Sequence, residues 1–276
     1  MKEFTKELLA KVIHPRPAES HKGDYGKVVL IGGNQQYGGA IMMSAEACVY
    51  GGAGLTTVAT HPKNHASLHA RLPEVMVLDW QEEQTLAKVI ESADVILIGP
   101  GLGEDEHAKR LLHFVLQTQK EQWLVIDGSA ITLFSEGDYS LPKPEKTIFT
   151  PHQMEWQRLS GIPVEKQEAA ANQRAQQKIG ATIVLKSHRT EIYTADKIYK
   201  NPAGDPAMAT GGMGDTLAGI ITAFLGQFTQ DIQTISAAVY LHSLIGDQLA
   251  QDHYVVLPTA ISHLLPIWMK KIAENS

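Results

Sequence analysis

Short runs of β-branched and aliphatic residues alternate along the chain with longer stretches whose apolar positions recur at helical spacing. The short runs predict strands at 27–31, 55–60, 75–78, 95–98, 123–126, 147–149, 182–185 and 190–194. The stretches between them predict helices at 40–50, 64–70, 82–92, 104–119 and 165–179. This alternation is the pattern of an α/β fold, a mostly parallel sheet with helices on both faces. Beyond residue 213 the pattern changes, and 214–228, 232–251 and 258–272 predict three successive helices. No repeat, linker or low-complexity tract divides the chain, so 1–276 reads as a single domain with 1–25 as a peripheral helix and arm.

Several predicted strands run into glycines: Ile31-Gly32-Gly33, Ile98-Gly99-Pro100-Gly101-Leu102-Gly103 and Ile126-Asp127-Gly128. In an open parallel sheet ligands bind at the carboxyl ends of the strands, where glycine permits close backbone approach. Three such junctions point to a ligand crevice at that end. A further glycine-rich stretch, Gly211-Gly212-Met213-Gly214, leads directly into the predicted helix at 214–228. Free N–H groups and the positive end of the dipole make such a helix start a seat for phosphate. Asp215 falls in the first turn, where the dipole favours its ionised form. It reads equally as an acceptor for the proton of an attacking hydroxyl or as a helix N-cap. No Gly-x-x-x-x-Gly-Lys-Ser/Thr occurs, and Gly-x-Gly-x-x-Gly spacing fails after Gly32 and after Gly99. A P-loop is thereby excluded and an ordinary Rossmann dehydrogenase disfavoured.

Composition narrows the partners. Twenty-four basic residues stand against 30 acidic ones, a formal charge of −6, and no Lys/Arg cluster forms a nucleic-acid-binding face. No apolar run reaches the ~20 residues of a membrane span, and the first residues lack a secretory signal. A cytoplasmic protein is expected. Cys48 is the sole cysteine, which excludes an intrachain disulfide and a cysteine-based zinc site and leaves it as a small buried residue. His14, His61, His65, His69 and His107 show no ligand-like spacing and read as surface or packing residues.

The stretch 201–219, with Asn201-Pro202, Met208-Ala209-Thr210 and Gly214-Asp215, resembles the signature Asn-Pro-Gly-Met-Ala-Thr-x-Gly-x-Gly-Asp-x-Leu-x-Gly of the NAD(P)H-hydrate dehydratase family within the ribokinase-like superfamily. Four more segments fall in that family's order. They are 27–33 with Tyr37-Gly38-Gly39-Ala40, then Gly99-Pro100-Gly101-Leu102-Gly103, then Thr150-Pro151-His152 with Glu155, then Leu185-Lys186. Met213, Ser129 and Ser187 depart from the family pattern.

The resemblance implies a ribokinase-like three-layer sandwich and a cofactor-repair reaction. In it, the S form of hydrated NADH or NADPH is phosphorylated on its ring hydroxyl and then loses phosphate. ADP, giving AMP and phosphate, or ATP would be the donor, with Mg2+ present. By the same resemblance Asp215 takes the hydroxyl proton, and Ala40, Gly103 and His152 line the hydrated-nicotinamide pocket with it. Gly211, Gly212 and Gly214 form the anion hole, and Lys186, Ser187, His188, Arg189 and Thr190 line the nucleotide. Glu155 stands near the magnesium–phosphate cluster, reaching the metal through water. A homo-oligomer such as a tetramer, and a separate epimerase for the other hydrate stereoisomer, complete the implied picture. Two alternatives use the same parts: a vitamin-precursor kinase of this superfamily, and a non-catalytic nucleotide sensor, for which Asp215 would be superfluous.

Overall fold

Alternate side chains of one strand after another face two separate cores, which makes this a layered molecule. Val28, Leu30, Val95, Leu97, Val125, Ile148, Val184 and Ile192 face one core; Val29, Ile31, Ile96, Ile98, Leu124, Ile126, Phe149, Ile183 and Tyr193 face the other. A strand buried on both faces must read as an unbroken apolar run, which is why these segments do. The computed structural model describes residues 2–275.

In chain order the strands are β1 (Lys2–Glu3), β2 (Lys27–Ile31), β3 (Leu55–Thr60), β4 (Met76–Asp79), β5 (Val95–Ile98), β6 (Trp123–Ile126), β7 (Thr147–Phe149), β8 (Thr182–Leu185), β9 (Glu191–Tyr193) and β10 (Ile198–Lys200). The helices are α1 (Lys6–Val12), α2 (Gly38–Tyr50), α3 (His65–Arg71), α4 (Glu83–Glu91), α5 (Glu106–Thr118), α6 (Ser129–Glu136), α7 (Gln153–Ser160), α8 (Ala169–Ile179), α9 (Met213–Gln227), α10 (Ile232–Ala250) and α11 (Pro258–Glu274). The strands form one sheet in the order β1-β10-β9-β8-β7-β6-β5-β2-β3-β4. Neighbours from β8 through β4 pair in parallel, whereas β9 runs antiparallel to both β8 and β10. One layer holds α1, α2, α9, α10 and α11; the opposite one is built around α4, α5, α6 and Trp156 of α7. The α/β three-layer arrangement inferred from the sequence is the one observed.

The chain runs outward from β2 to β4 and then returns to place β5 on the other side of β2. The strand order therefore reverses between β2 and β5, the kind of switch point at whose carboxyl-end crevice open α/β sheets take ligands. Gly33 N donates to Pro100 O at 2.9 Å and Asn34 N to Gly101 O at 2.7 Å, so the two glycine junctions are stitched together. Gly99 admits no side chain: with φ at 127°, a Cβ there would lie 1.7 Å from the carbonyl oxygen of Asp127.

Several boundaries differ from expectation. The strand expected at 190–194 is the three residues of β9, and β1, β10, α6 and α7 carried no signal strong enough to predict. The helix expected at 165–179 begins only at Ala169, because Pro163 starts a separate 3-10 turn over Val164–Lys166 and Glu168 remains extended. The first 25 residues do more than decorate the edge. β1 extends the sheet in parallel with β10, and Phe4, Leu9, Val12 and Ile13 are buried. Among the described residues no helix is long and apolar enough to cross a membrane.

Candidate functional site

Three adjacent parallel strands deliver polar residues to one spot. Asp127 follows β6, Thr150 follows β7 and Lys186 follows β8. An isolated parallel bridge between His152 and Lys186, with Lys186 N donating to Pro151 O at 2.8 Å, carries the β7–β8 pairing one step past the strands. Lys186 Nζ donates to Asp127 Oδ1 at 2.7 Å, and Thr150 Oγ1 donates to the same oxygen at 2.7 Å. Asp127 is 1% exposed. Burial alone would lower the Lys186 ammonium, but Asp127 and Glu155 outweigh it and hold the group above the ordinary lysine range. Lys186 is thus a buried, paired cation, not a solvated charge at a strand end.

The Gly-rich segment closes over this pair. Gly212 has φ 93° and serves as the N-cap of α9 without any side-chain capping bond, so its side of the helix start offers N–H groups that no capping side chain takes up. That φ is the left-handed region glycine adopts without penalty. Gly214 packs directly on Lys186: a Cβ there would approach Nζ to 3.0 Å. Asp215 is the third residue of α9, and Gly212 occupies the cap, so the capping role left open by the sequence is excluded. Ser44 Oγ of α2 donates to the Asp215 carbonyl at 2.9 Å, fixing the turn against the helix that begins beside Ala40. The dipole does not by itself decide where Asp215 titrates. Burial, reinforced by the Asp127 charge and only partly opposed by Lys186, pushes its carboxyl up to about 6. Desolvation in a half-closed crevice outweighs half a unit of dipole charge.

His152 is the N-cap of α7. Its Nδ1 accepts from Met154 N at 3.1 Å and Glu155 N at 3.3 Å, while Glu155 Oε2 accepts from His152 N at 2.8 Å. This reciprocal box determines the imidazole's tautomer, since Nδ1 must be the acceptor. Burial, aided by the Lys186 charge, lowers the His152 pKa and keeps the ring neutral. Burial also raises the Glu155 carboxyl well above the usual range against the pull of Lys186, whose Nζ lies 4.0 Å from Oε2.

The remaining predicted residues gather around these. Ser187 and His188 form an exposed turn; Arg189 Nη1 donates to Gly204 O at 3.3 Å, and Thr190 O accepts from Asn201 N at 2.9 Å. The 186–190 segment therefore sits against the start of the 201–219 stretch. Ala40 packs on Gly101, and Gly103 N donates to Ser129 Oγ at 3.2 Å, giving that departure from the family pattern a backbone-holding task. Asp127, Ser44 and His242 belong to the site's framework although sequence spacing did not single them out. His242 is buried in α10 against the Met213 backbone, and burial lowers its pKa to about 4, so it supports the loop as a neutral ring. A groove of about 1310 Å3, lined by Arg16, Tyr25, Gln227 and Met269 among others, lies at the opposite end of the strands and contains none of the predicted residues.

Taken together, the glycine seat, the carboxylate beside it and the buried ammonium form an arrangement suited to phosphoryl transfer, where positioning and charge stabilisation do the work. Known proteins match over the same span. The family model described as NAD(P)H-hydrate dehydratase matches residues 28–267. The ADP-dependent (S)-NAD(P)H-hydrate dehydratase of Enterococcus faecalis is 62% identical over 99% of this chain and 94% of its own length. A crystal structure of a ribokinase-like superfamily protein from the same organism superposes with TM-score 0.97, covering 99% of this chain and 97% of that one. The ADP/ATP-dependent NAD(P)H-hydrate dehydratase from Bacillus subtilis, co-crystallised with ATP/Mg2+, superposes with TM-score 0.88 at 28% identity over 98% of each chain. With its fold, its glycine-seated Asp215 and a match of this extent, the chain belongs to the NAD(P)H-hydrate dehydratase family.

Proposed function

We propose that this protein returns the S form of hydrated NADH or NADPH to the dihydronicotinamide at the expense of ADP, with ATP as a second donor. The observation that carries this reading is Asp215. Its carboxylate accepts no hydrogen bond among the described residues, stands on the first turn of α9 above the Lys186–Asp127 pair, and has a pKa near operating pH. Asp215 takes the proton of the ring C6 hydroxyl as that oxygen attacks the terminal phosphorus, and the bond from phosphorus to the bridging oxygen of the nucleotide breaks. N–H groups of Gly211, Gly212 and Gly214 hold the equatorial oxygens, while Lys186, Ser187, His188, Arg189 and Thr190 line the nucleotide. The C6–O bond of the phosphate ester then breaks, driven by the ring nitrogen's lone pair and releasing inorganic phosphate, and the C5 proton passes to the departing phosphate or water to restore the double bond. Ala40, Gly103 and neutral His152 enclose the ring.

Magnesium fits this chain only through intermediaries. Among the described residues no three His, Cys, Asp or Glu side chains are arranged to hold a metal ion, and Glu155 Oε2 is committed to His152 N. When bound with nucleotide, magnesium neutralises phosphate charge; its ligands here would be phosphate oxygens and water, with Glu155 in the outer shell. A homo-oligomer such as a tetramer, a cytoplasmic setting and a separate epimerase partner belong to the same proposal. The bifunctional NAD(P)H-hydrate repair enzyme of Coxiella burnetii, 48% of whose length this chain matches, supports the last of these. The deciding assay incubates the protein with S-hydrated NADH and ADP. Recovery of dihydronicotinamide absorbance with equal AMP and phosphate is expected. A stable phosphorylated product would favour the vitamin-kinase alternative, and no turnover with ADP or ATP would reject the reading.

A further inference from the structure

Nucleotide lining does not require the Lys186 ammonium to be drawn back into the sheet, yet it is. Nζ is 2.7 Å from Asp127 Oδ1, 4.0 Å from Glu155 Oε2 and close beneath Gly214. Two carboxylates, Asp127 and Glu155, lie within 4.0 Å of this one cation, and the charge of Asp215 reaches it as well. Asp127 and Glu155 are 1% and 6% exposed. Carboxylates crowded in this way ordinarily call for a hard divalent ion, which needs oxygen ligands at about 2.0–2.1 Å in near-octahedral array. Here the space between Asp127 and Glu155 is taken by the ammonium, and the nearest oxygens are spoken for. Asp127 Oδ1 accepts from both Thr150 and Lys186, and Glu155 Oε2 from His152 N. Two cations repel strongly in so dry a place.

We propose that Lys186 is the resident cation of this carboxylate cluster and meets the transferring phosphoryl group from beneath Gly214, that Asp127 and Thr150 are its positioning residues, and that divalent metal enters the protein only as a complex with nucleotide. The ammonium keeps its proton throughout and donates a hydrogen bond to a phosphoryl oxygen; no bond to Lys186 forms or breaks. Holding Nζ on Asp127 also keeps it from closing on Asp215, whose basicity a direct ion pair would quench. The proposal rests on the phosphoryl-transfer reading, but its claim about nucleotide-free protein can be tested without that reading.

Mn2+ titrated into the nucleotide-free wild-type protein, followed by electron paramagnetic resonance, is expected to show no bound ion below about 1 mM, and one ion per chain once ADP is added. One Mn2+ bound per nucleotide-free chain at micromolar concentration would overturn the proposal whatever the enzyme's substrate. Lys186→Met keeps length and removes charge; it is expected to bind Mn2+ without nucleotide at least ~10-fold more tightly than wild type and to lose ~10²-fold or more in turnover. A folded Lys186→Met that gains no Mn2+ affinity counts against a resident cation. Asp127→Asn retains an acceptor for Thr150 but loosens the ammonium, so kcat should fall ~10-fold or more while KM for ADP stays within about threefold. Equal losses in both constants, or kcat within about threefold of wild type, would remove the positioning role. Absence of any turnover in wild type would sink the functional reading and leave the Mn2+ result to stand alone.

Discussion

Asp215 is caught between a helix dipole that favours its charge and a crevice that disfavours it, and the crevice wins. With its carboxyl raised to about 6, the free enzyme's kcat/KM should climb with pH through that region and level off above it, as the base form fills. A profile flat from pH 5 to 8 would contradict the assignment. Replacing the acid gives a second, independent readout. Because the folded pKa exceeds the unfolded value, ionised Asp215 is a destabilising charge above about pH 6, and the penalty vanishes as pH falls below the unfolded value. Asp215→Asn should therefore melt higher than wild type at pH 8, with the gap closing by about pH 4, while turnover drops ~10²–10⁴-fold. Equal melting at both pH values, or turnover within about threefold, would leave Asp215 without a role in proton transfer. The acid itself was legible because its meaning lies in its immediate neighbours, Gly214 before it and an apolar helix after it. Its partners were not. Asp127 and Lys186 are 59 residues apart in the chain and meet only because β6, β7 and β8 lie side by side.

Elements with strong local patterns could be placed from sequence alone, and short ones could not. β2, β5 and β6 are continuous apolar runs, and α9 and α10 are long with buried small and aliphatic faces. α6 and α7 are eight residues each, and β10 is three, too short for a period to declare itself. The His152–Glu155 box fixes where α7 begins, a capping task that a lone Pro-His pair in the sequence does not declare. Within the Gly-rich element, the glycines are not equivalent. Gly212 has a positive φ, and an added Cβ would lie 2.2 Å from Met43 Sδ, whereas a Cβ on Gly211 would meet nothing within 4 Å. Gly212→Ala should then lose the ~1–2 kcal/mol of a left-handed non-glycine residue, plus whatever Met43 must yield, and should raise KM for ADP as the anion seat tilts. Gly211→Ala should change stability by no more than ~0.5 kcal/mol. Thermal melts and ADP titrations of the pair separate backbone conformation from simple loss of glycine; equal effects in the two would show that the left-handed turn is not what shapes the seat.

The whole molecule couples its margin to its middle. Nothing in the first 25 residues resembles a core element by composition, since α1 is a seven-residue helix carrying three charges and β1 has two residues. Their burial becomes visible only when α10 and α11 are in place, for α1 packs against both, and Phe4 meets Tyr240 with ring centroids 6.0 Å apart. The same arm walls the large groove at the amino ends of the strands, where Arg16 stacks 3.6 Å over Tyr25 and donates to Gln227 Oε1 at 2.9 Å. The arm is thus a long-range closure of the helical layer, built from residues near the start of the chain and helices near its end. Leu9 tests this, being 3% exposed on a helix that carries none of the predicted site residues. A side chain on a peripheral arm would change stability by about 0.5 kcal/mol at most, while a core leucine truncated to alanine costs ~2–5 kcal/mol. Leu9→Ala is expected at the core value, read as a lower urea midpoint with an unchanged slope. In that same variant, kcat per folded molecule should match wild type, because Asp215, Lys186 and their partners hang on α9 and on β6 to β8, away from α1. A midpoint shift near zero would return the arm to the periphery; a fall in kcat without unfolding would show that α10 transmits the damage through His242 to the Met213 turn.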